Sequence, residues 1–473
     1  MECILKKEYD PAREVLRSSI ARGVNTRVAE QYGKVLEEFL QRRDEIENPV
    51  ILARYNACEV RVSSDKTGRG LFVPAYQPWG AQLWKERPLA FIQSPCSRKC
   101  AQVCRACLSP VGSLASQLRH LDLGPVPPGA EDLLLDQFED RYWERKLREV
   151  VNGEIVQCAE SACSEVFCSK ECRDWALGGE SSHSVLCAGR LPAASFEALQ
   201  ELEQFADDVD TEHLLLLAHV VAQMLLRRKA GDAIEEVKRR FLQFISSPWE
   251  EMAEGTPEDT PELRREHLEK ATVLLQRIFA GEELASELLE PTVLSSLMGS
   301  FELVNMCIAL PHPLNRHGDK LCELLGGDVL AKIAKNQEQV EDDDSDVEGD
   351  ADDEGESQAE ALEAARTGSL FGNVIGTALC EALAFTNHSC LPNCRIDFAT
   401  AGQAEAPGPG LWVYSVTRRP LVPGDEVLMS YVPSVVGRPL EVRQEKMRKF
   451  GFPCSCRTCE TDKALAAEGD VVF

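Results

Sequence analysis

"TNHSCLPNC", residues 386–394, places a histidine, two cysteines, two asparagines and a proline within nine positions. Such a stretch is open to three readings: a metal site, a catalytic dyad, or a polar turn. His388 and Cys390 do not decide among them alone, so the chain on either side carries the decision. Short strands with turn signals flank it: "FGNVIGTAL" before, "GLWVYSVTRRPL" and "EVLMSY" after. A helix, "PLEVRQEKMRKF", follows, and then "FGFPCSCRTC" with Cys454, Cys456 and Cys459. Three cysteines leave a tetrahedral zinc one ligand short. Cys390 is the natural fourth, and the metal would then close a loop of over 60 residues.

A second cysteine-rich block lies between 104 and 187. It holds four short pairs: Cys104 and Cys107 (C-x2-C), Cys158 and Cys163 (C-x4-C), Cys168 and Cys172 (C-x3-C), His183 and Cys187 (H-x3-C). Zinc takes four such ligands, so four pairs make two closed sites. Interleaved pairing puts Cys104, Cys107, Cys168 and Cys172 on one ion and Cys158, Cys163, His183 and Cys187 on the other. Cys96 and Cys100 offer other partners for the first pair. Buried free thiols are the bland alternative. Within this block, 108–157 is rich in Leu, Pro, Asp and Glu and reads as an insertion.

Elsewhere the pattern is plainer. Over 11–46, Val28, Tyr32, Val35, Leu36, Phe39 and Leu40 form one helical stripe. "VRVSSDKTGRGLFVPAY", 60–76, reads as two strands around a Gly-rich turn. From 191 to about 292 the pattern is helical, through Leu214, Leu217, Val221, Met224 and Leu225, with Thr211 as N-cap. "EQVEDDDSDVEGDADDEGE", 338–356, is acidic and of low complexity, and is expected to be disordered.

The chain has 473 residues, 44% hydrophobic and 27% charged, with net charge −27 and 19 cysteines. Its length calls for two or three packed units. The most apolar window, Leu214–Leu226, is broken by His219 and Gln223 and is a buried helix, not a membrane span. The start, "MECILKKEYD", shows no secretory h-region. Cytosol or nucleus is the expected compartment, where clustered cysteines mean metal more often than disulfide. The acidity repels nucleic acid and favours basic partners such as histone tails or ribosomal proteins. No basic stripe flanks the cysteines, which argues against a zinc DNA-binding protein.

In their order along the chain these pieces resemble the SET-and-MYND-domain lysine methyltransferases. "TGRGLF" is similar to the first SET motif, the eight-ligand block to a MYND zinc finger lodged in the SET domain, and "NHSCLPN" to the asparagine–histidine signature. "GDEVLMSY" resembles the strand with the active-site tyrosine, and "FGFPCSCRTC" the post-SET zinc loop. "GSFELVN" and "GTALCEALAFTNHSC" on either side of a long acidic insertion resemble the plant trithorax-related branch. The resemblance implies an α+β fold: a SET β-fold split by a MYND finger and a helical insert, with a post-SET loop. The expected units are an N-terminal helical extension (1–58), SET N-terminal part (59–95), MYND finger (96–190), helical insert (191–292), SET segment (293–310), acidic insertion (311–368), SET core (369–432), post-SET (433–460) and tail (461–473). The helical repeat domain of many relatives is expected to be missing. Two departures stand out. The second pair is C-x4-C where the family has C-x2-C, which loosens Cys158. Asn305-Met306-Cys307 replaces Asn-Ser-Phe, putting a thiol where the lysine channel has an aromatic wall.

The resemblance further implies S-adenosylmethionine as donor, a protein lysine as acceptor and three structural zinc ions. Cofactor contacts carried over by motif are Gly68, Arg69, Gly70, Asn305, Asn387, His388, Tyr431 and Phe452, with Tyr431 also catalytic. Cys307 and Phe450 would line the substrate channel, and Pro392 with Asn393 would fix the turn after Cys390. Transfer is an in-line displacement, so positioning dominates. The lysine must be neutral, and deprotonating a free lysine of pKa ~10.4 at neutral pH costs about 4–5 kcal/mol. An apolar channel lowers that by desolvation, and a water path removes the proton without a general base. Expected partners are a basic protein, histone H3 or another, and a proline-rich peptide at the MYND finger, with no membrane or sequence-specific nucleic-acid contact. A catalytically dead zinc scaffold with a decayed SET domain is the alternative.

Overall fold

The computed structural model describes residues 51–62, 68–121, 155–313 and 373–469. The helical stripe over 11–46 and the acidic stretch 338–356 lie outside them, as does most of the insertion 108–157. The described residues mix helices and strands in an α+β arrangement.

The first sheet is a meander of β1 (Ile51–Tyr55), β2 (Cys58–Val62) and β3 (Arg69–Phe72), antiparallel throughout. β4 (Gln82–Glu86) belongs to a second sheet, and β5 (Ala90–Gln93) to a third. A small hairpin, β6 (Val156–Gln157) with β7 (Val166–Phe167), lies inside the first cysteine block. β8 (Met306–Leu310) and β9 (Val374–Leu379) complete the third sheet in the order β5-β9-β8. β10 (Asn387–His388) is only two residues long. β11 (Cys394–Ala399) and β12 (Trp412–Thr417) complete the second sheet in the order β11-β12-β4. β13 (Leu428–Met429) runs parallel to β10, pairing Asn387 with Leu428 and His388 with Met429.

The chain just before β13 also bonds to β3. Val427 N–H donates to Leu71 O at 2.7 Å, and Val73 N–H to Asp425 O at 3.0 Å. Residues 69–73, 387–388 and 425–429 thus share one ladder, although more than 300 residues separate the first from the second. This ladder brings "GRGLF", "NHS" and "EVLMSY" together. The core beneath these strands contains Leu71, Leu83, Trp84, Val413 and Val427, all at most 1% exposed.

A second core belongs to the helices. Helix His213–Lys229 is buried at Leu214, Leu216, Leu217, Ala218, Val220 and Val221, so apolar side chains cover most of its circumference. It is the central rod, packed against helices Ala193–Asp208, Ile234–Leu242 and Pro291–Val304 and against β5. Arg227, Arg228 and Lys229 in its last turn complement the negative end of its dipole. Thr211 does not cap it. Asp210 turns through a positive φ of 46°, the helix begins after Glu212, and Thr211 Oγ1 donates to Val209 O. Thr211 therefore closes the preceding turn. Helix Pro261–Ile278 has a true cap: Thr260 Oγ1 accepts from Leu263 N–H at 3.1 Å, with Pro261 at the first position. No helix among the described residues is long and apolar enough to cross a membrane.

Candidate active site and metal centres

Three groups of four soft ligands converge, each with ligand atoms within 4.8 Å of one another: Cys104/Cys107/Cys168/Cys172, Cys158/Cys163/His183/Cys187 and Cys390/Cys454/Cys456/Cys459. These are the interleaved sets that the spacing suggests, Cys158 included. Cys96 and Cys100 sit on helix Pro95–Cys100, outside them. The geometry fits zinc. A tetrahedron with Zn–S near 2.3 Å has S···S edges of about 3.8 Å. The measured edges are 3.7 Å for Cys107–Cys168, 3.8 Å for Cys158–Cys187, 3.8 Å for Cys390–Cys454 and 3.6 Å for Cys390–Cys459. The chemistry fits too. Burial pushes the Cys104 thiol well up, while hydrogen bonds from Cys104, Cys107 and Cys168 pull Cys172 well down. Likewise Cys456 falls to about 3 through its bond with Cys454, whose own thiol is pushed up. Negative charge gathers on one sulfur in each of these two all-cysteine quartets, and a divalent cation would let the others ionise. Burial lowers His183 to about 4, which keeps it neutral with a lone pair for a metal.

The C-terminal quartet borders a cleft of about 2700 Å3. That exceeds the 300–1000 Å3 usual for one small ligand, leaving room for a cofactor and a peptide together. Arg69, Asn305, Asn387, His388, Tyr431 and Phe452 all border it, as do Cys307 and Phe450. Tyr431 lies between three rings: Phe450 at 5.1 Å, His388 at 5.3 Å and Phe452 at 6.5 Å. Burial pushes its phenol well above the ordinary value, so it stays a neutral donor at pH 7. Asn305 stands at the C-terminus of helix Pro291–Val304, and both polar atoms of its amide are buried without a hydrogen-bond partner. A buried amide in that state costs about 1–3 kcal/mol unless a ligand satisfies it. Asn305 therefore fits a polar cofactor.

Neither Gly68 nor Gly70 borders the cleft. Gly68 holds a φ of +79°, and a Cβ there would meet nothing within 4 Å. A Cβ on Gly70 would lie 2.3 Å from Glu426 Oε1 and 3.0 Å from Asn387 Nδ2. Gly70 thus makes room for the Glu426–Asn387 side-chain pair. Asn387 Nδ2 donates to Glu426 Oε1 at 2.7 Å and to Arg69 O at 3.0 Å, so both amide hydrogens are used and its oxygen remains for a ligand. The Arg69 guanidinium donates to the Gln243 carbonyl and stacks over Phe385 at 5.0 Å. Asn393, 2% exposed, clamps the strand before Tyr431, donating to Glu426 O and accepting from Leu428 N–H.

Several site residues escaped sequence reasoning. Glu426 is one, visible only as the third letter of "GDEVLMSY". Gln243, Phe244 and Ile245 are others: the segment just after helix Ile234–Leu242 reaches the cleft, where Phe244 and Ile245 form part of its wall. Gln243 Nε2 donates to Glu381 Oε1 at 3.3 Å and Arg240 to Glu381 Oε2 at 2.9 Å. Beneath them the Glu86 carboxylate accepts from Glu381, Ala382 and Leu383 N–H at 2.9–3.0 Å. Burial raises Glu86 to about 7 against these donors. It pins the turn that delivers Asn387 and His388.

With this geometry in view, comparisons with known proteins show what the chain is similar to. The SET domain family matches residues 296–432. The chain is 26% identical to a histone-lysine N-methyltransferase, ATXR2, of Arabidopsis thaliana over 329 residues, 64% of this chain and 62% of the relative. It is 25% identical to human protein-lysine N-trimethyltransferase SMYD5 over 415 residues, 85% of this chain and 86% of the relative. A shorter match, 32% over 92 residues, 19% of this chain and 16% of the relative, is to SET domain and MYND-type zinc finger protein 6 of Schizosaccharomyces pombe. Residues 296–432 thus match a SET domain, and the chain is similar to proteins named as lysine methyltransferases and to a SET-and-MYND-type zinc finger protein. It spans under two thirds of the Arabidopsis relative's length.

Proposed function

We propose that this chain is an S-adenosylmethionine-dependent protein-lysine N-methyltransferase. One observation carries the reading: the ring-caged Tyr431 and the unsatisfied Asn305 amide border one large cleft. When bound, S-adenosylmethionine supplies an electrophilic sulfonium methyl. The Asn305 amide and the Asn387 oxygen would hold its polar ends, and Phe452 would cover it. The ring wall around Tyr431 desolvates the incoming lysine and favours its neutral form. The neutral Tyr431 hydroxyl orients the amine toward the methyl. Cys307 and Phe450 border the same space and would set how much room the amine has.

The two quartets between 104 and 187 would form a MYND finger at 96–190 and the third a post-SET loop at 433–460, each holding zinc. The helical insert at 191–292 would then be part of the cofactor wall, through Phe244. The proposed substrate is a histone tail or another basic protein, in nucleus or cytoplasm, and the MYND finger would take a proline-rich peptide. The direct test is incubation of the pure protein with labelled S-adenosylmethionine and a cell lysate. Labelled protein bands are expected. No labelling together with no thermal shift on adding cofactor would contradict the enzyme reading and favour the scaffold.

A further inference from the structure

Tyr431 lies two residues beyond β13, and the β10–β13 ladder ends at the His388–Met429 pair. The sheet therefore does not hold the tyrosine. Its backbone N–H instead donates to His388 Nδ1 at 3.0 Å. A backbone amide can only donate, so Nδ1 must carry the lone pair, and the ring hydrogen must sit on Nε2. That nitrogen lies 3.4 Å from Cys390 Sγ. Cys390 Sγ in turn lies 3.6 Å from Cys459 and 3.8 Å from Cys454, inside the C-terminal quartet. His388 is only 9% exposed, and its ring packs on that of Tyr431. On the far side of the same quartet, the Arg443 guanidinium donates to Cys459 Sγ at 3.8 Å.

From this chain of contacts we infer that His388 is a positioning residue, neither metal ligand nor base, that couples the C-terminal metal quartet to Tyr431. Its Nε2–H bonds and orients the Cys390 thiolate. Its Nδ1 fixes the Tyr431 backbone, and with it the hydroxyl. Loss of metal lets Cys390 move, the imidazole loses one of its two anchors, and Tyr431 drifts from the reacting centre. This rests on the quartet holding metal and on Tyr431 serving the transfer.

Two variants separate the two ends of the ring. His388→Phe keeps the volume and removes both nitrogens. His388→Asn supplies an oxygen near Nδ1 but nothing that reaches the sulfur. Outer-shell partners of metal ligands typically change affinity by about 10- to 100-fold. Chelator competition on the zinc-loaded chain should show one of three zinc ions released about 10- to 100-fold more readily in both variants. In cadmium-substituted protein, one of the two all-sulfur 113Cd resonances should shift while the other stays. Amide exchange at Tyr431 should speed up in His388→Phe and be restored in His388→Asn. If the Phe variant does not fold, the Asn variant alone must still show weakened zinc with a protected Tyr431 amide. Unchanged zinc release and unchanged 113Cd shifts in a folded variant would overturn the inference. A parent chain that binds fewer than three zinc ions would instead overturn the quartet assignment, and a parent that transfers no methyl would overturn the enzyme reading. Both are read before any variant is made.

Discussion

Gly70→Ala tests how the site is assembled. The new methyl would lie 2.3 Å from Glu426 Oε1, 3.1 Å from Glu426 Cδ and 3.0 Å from Asn387 Nδ2. The first distance is far inside contact, so the carboxylate must move and its 2.7 Å bond with Asn387 must break. Losing a hydrogen bond to a charged acceptor costs about 1.5–3 kcal/mol. Overpacking adds about 1–3 kcal/mol, for a total of roughly 2.5–6 kcal/mol if strand β3 stays in place. Asn387 would lose a partner in the cofactor wall, so cofactor affinity should drop with stability. Chemical denaturation and calorimetric titration with S-adenosylhomocysteine read the two effects. In a Glu426→Ala background the clash is gone, so the added cost of Gly70→Ala should shrink below ~1 kcal/mol, the non-additivity expected of touching side chains. Gly68→Ala serves as the contrast: it meets no atom, and its cost is backbone strain alone, about 1–2 kcal/mol. Parent-like stability and affinity for Gly70→Ala, or a full cost that persists without Glu426, would refute the reasoning.

Elemental analysis should find three zinc ions per chain, and Cys456→Ser should lose one of them and loosen the cofactor pocket; one ion or none in the parent would contradict the 4+4+4 ligand sets. Product multiplicity should exceed one methyl, because Phe450, 5.1 Å from Tyr431, has no hydroxyl to pin the amine, and Phe450→Tyr should shift product toward fewer methyls. Mass spectrometry at saturating cofactor decides, and exclusive monomethyl product would count against it. Stability should fall as pH drops below about 6.5: burial holds His219 well below its ordinary value, beside Arg105 at 2.8 Å. A depressed histidine contributes its stability above the unfolded value and loses it as the pH falls. Tm scans from pH 7 to 5 should show a shallower drop in His219→Gln, and an identical slope would remove His219 from the account.

What was legible in the chain was local. Short cysteine pairs advertise metal because two ligands from one turn are useful for little else in a reducing compartment. "NHSCLPN" and "GDEVLMSY" carry their residue types in a fixed order, and the alternation around them marks strands. The long-range partners left no such trace. Arg69 binds a carbonyl 174 residues away, and Asn387 a carbonyl 318 residues away. Neither contact has a period or spacing to read. Phe244 and Ile245 follow an ordinary amphipathic helix, so nothing local distinguishes a cleft wall from a helix end. Thr211 misled for the opposite reason: its residue type suits an N-cap, but the positive φ at Asp210 moved the helix start past it. Gly68 and Gly70 carry a cofactor expectation through their motif alone. Only the folded ladder reveals that the close approach at Gly70 is by Glu426.

The central claim is that Tyr431, caged by His388, Phe450 and Phe452, directs methyl transfer to a lysine in this cleft. A paired measurement on the parent and Tyr431→Phe tests it most directly: transfer of label from S-adenosylmethionine to lysate protein, beside titration with S-adenosylhomocysteine. The account expects the parent to label protein and the variant to lose most of that turnover at unchanged cofactor affinity, because the hydroxyl acts on the reacting groups and does not anchor the cofactor. A variant that binds cofactor normally and turns over at the parent rate would contradict it.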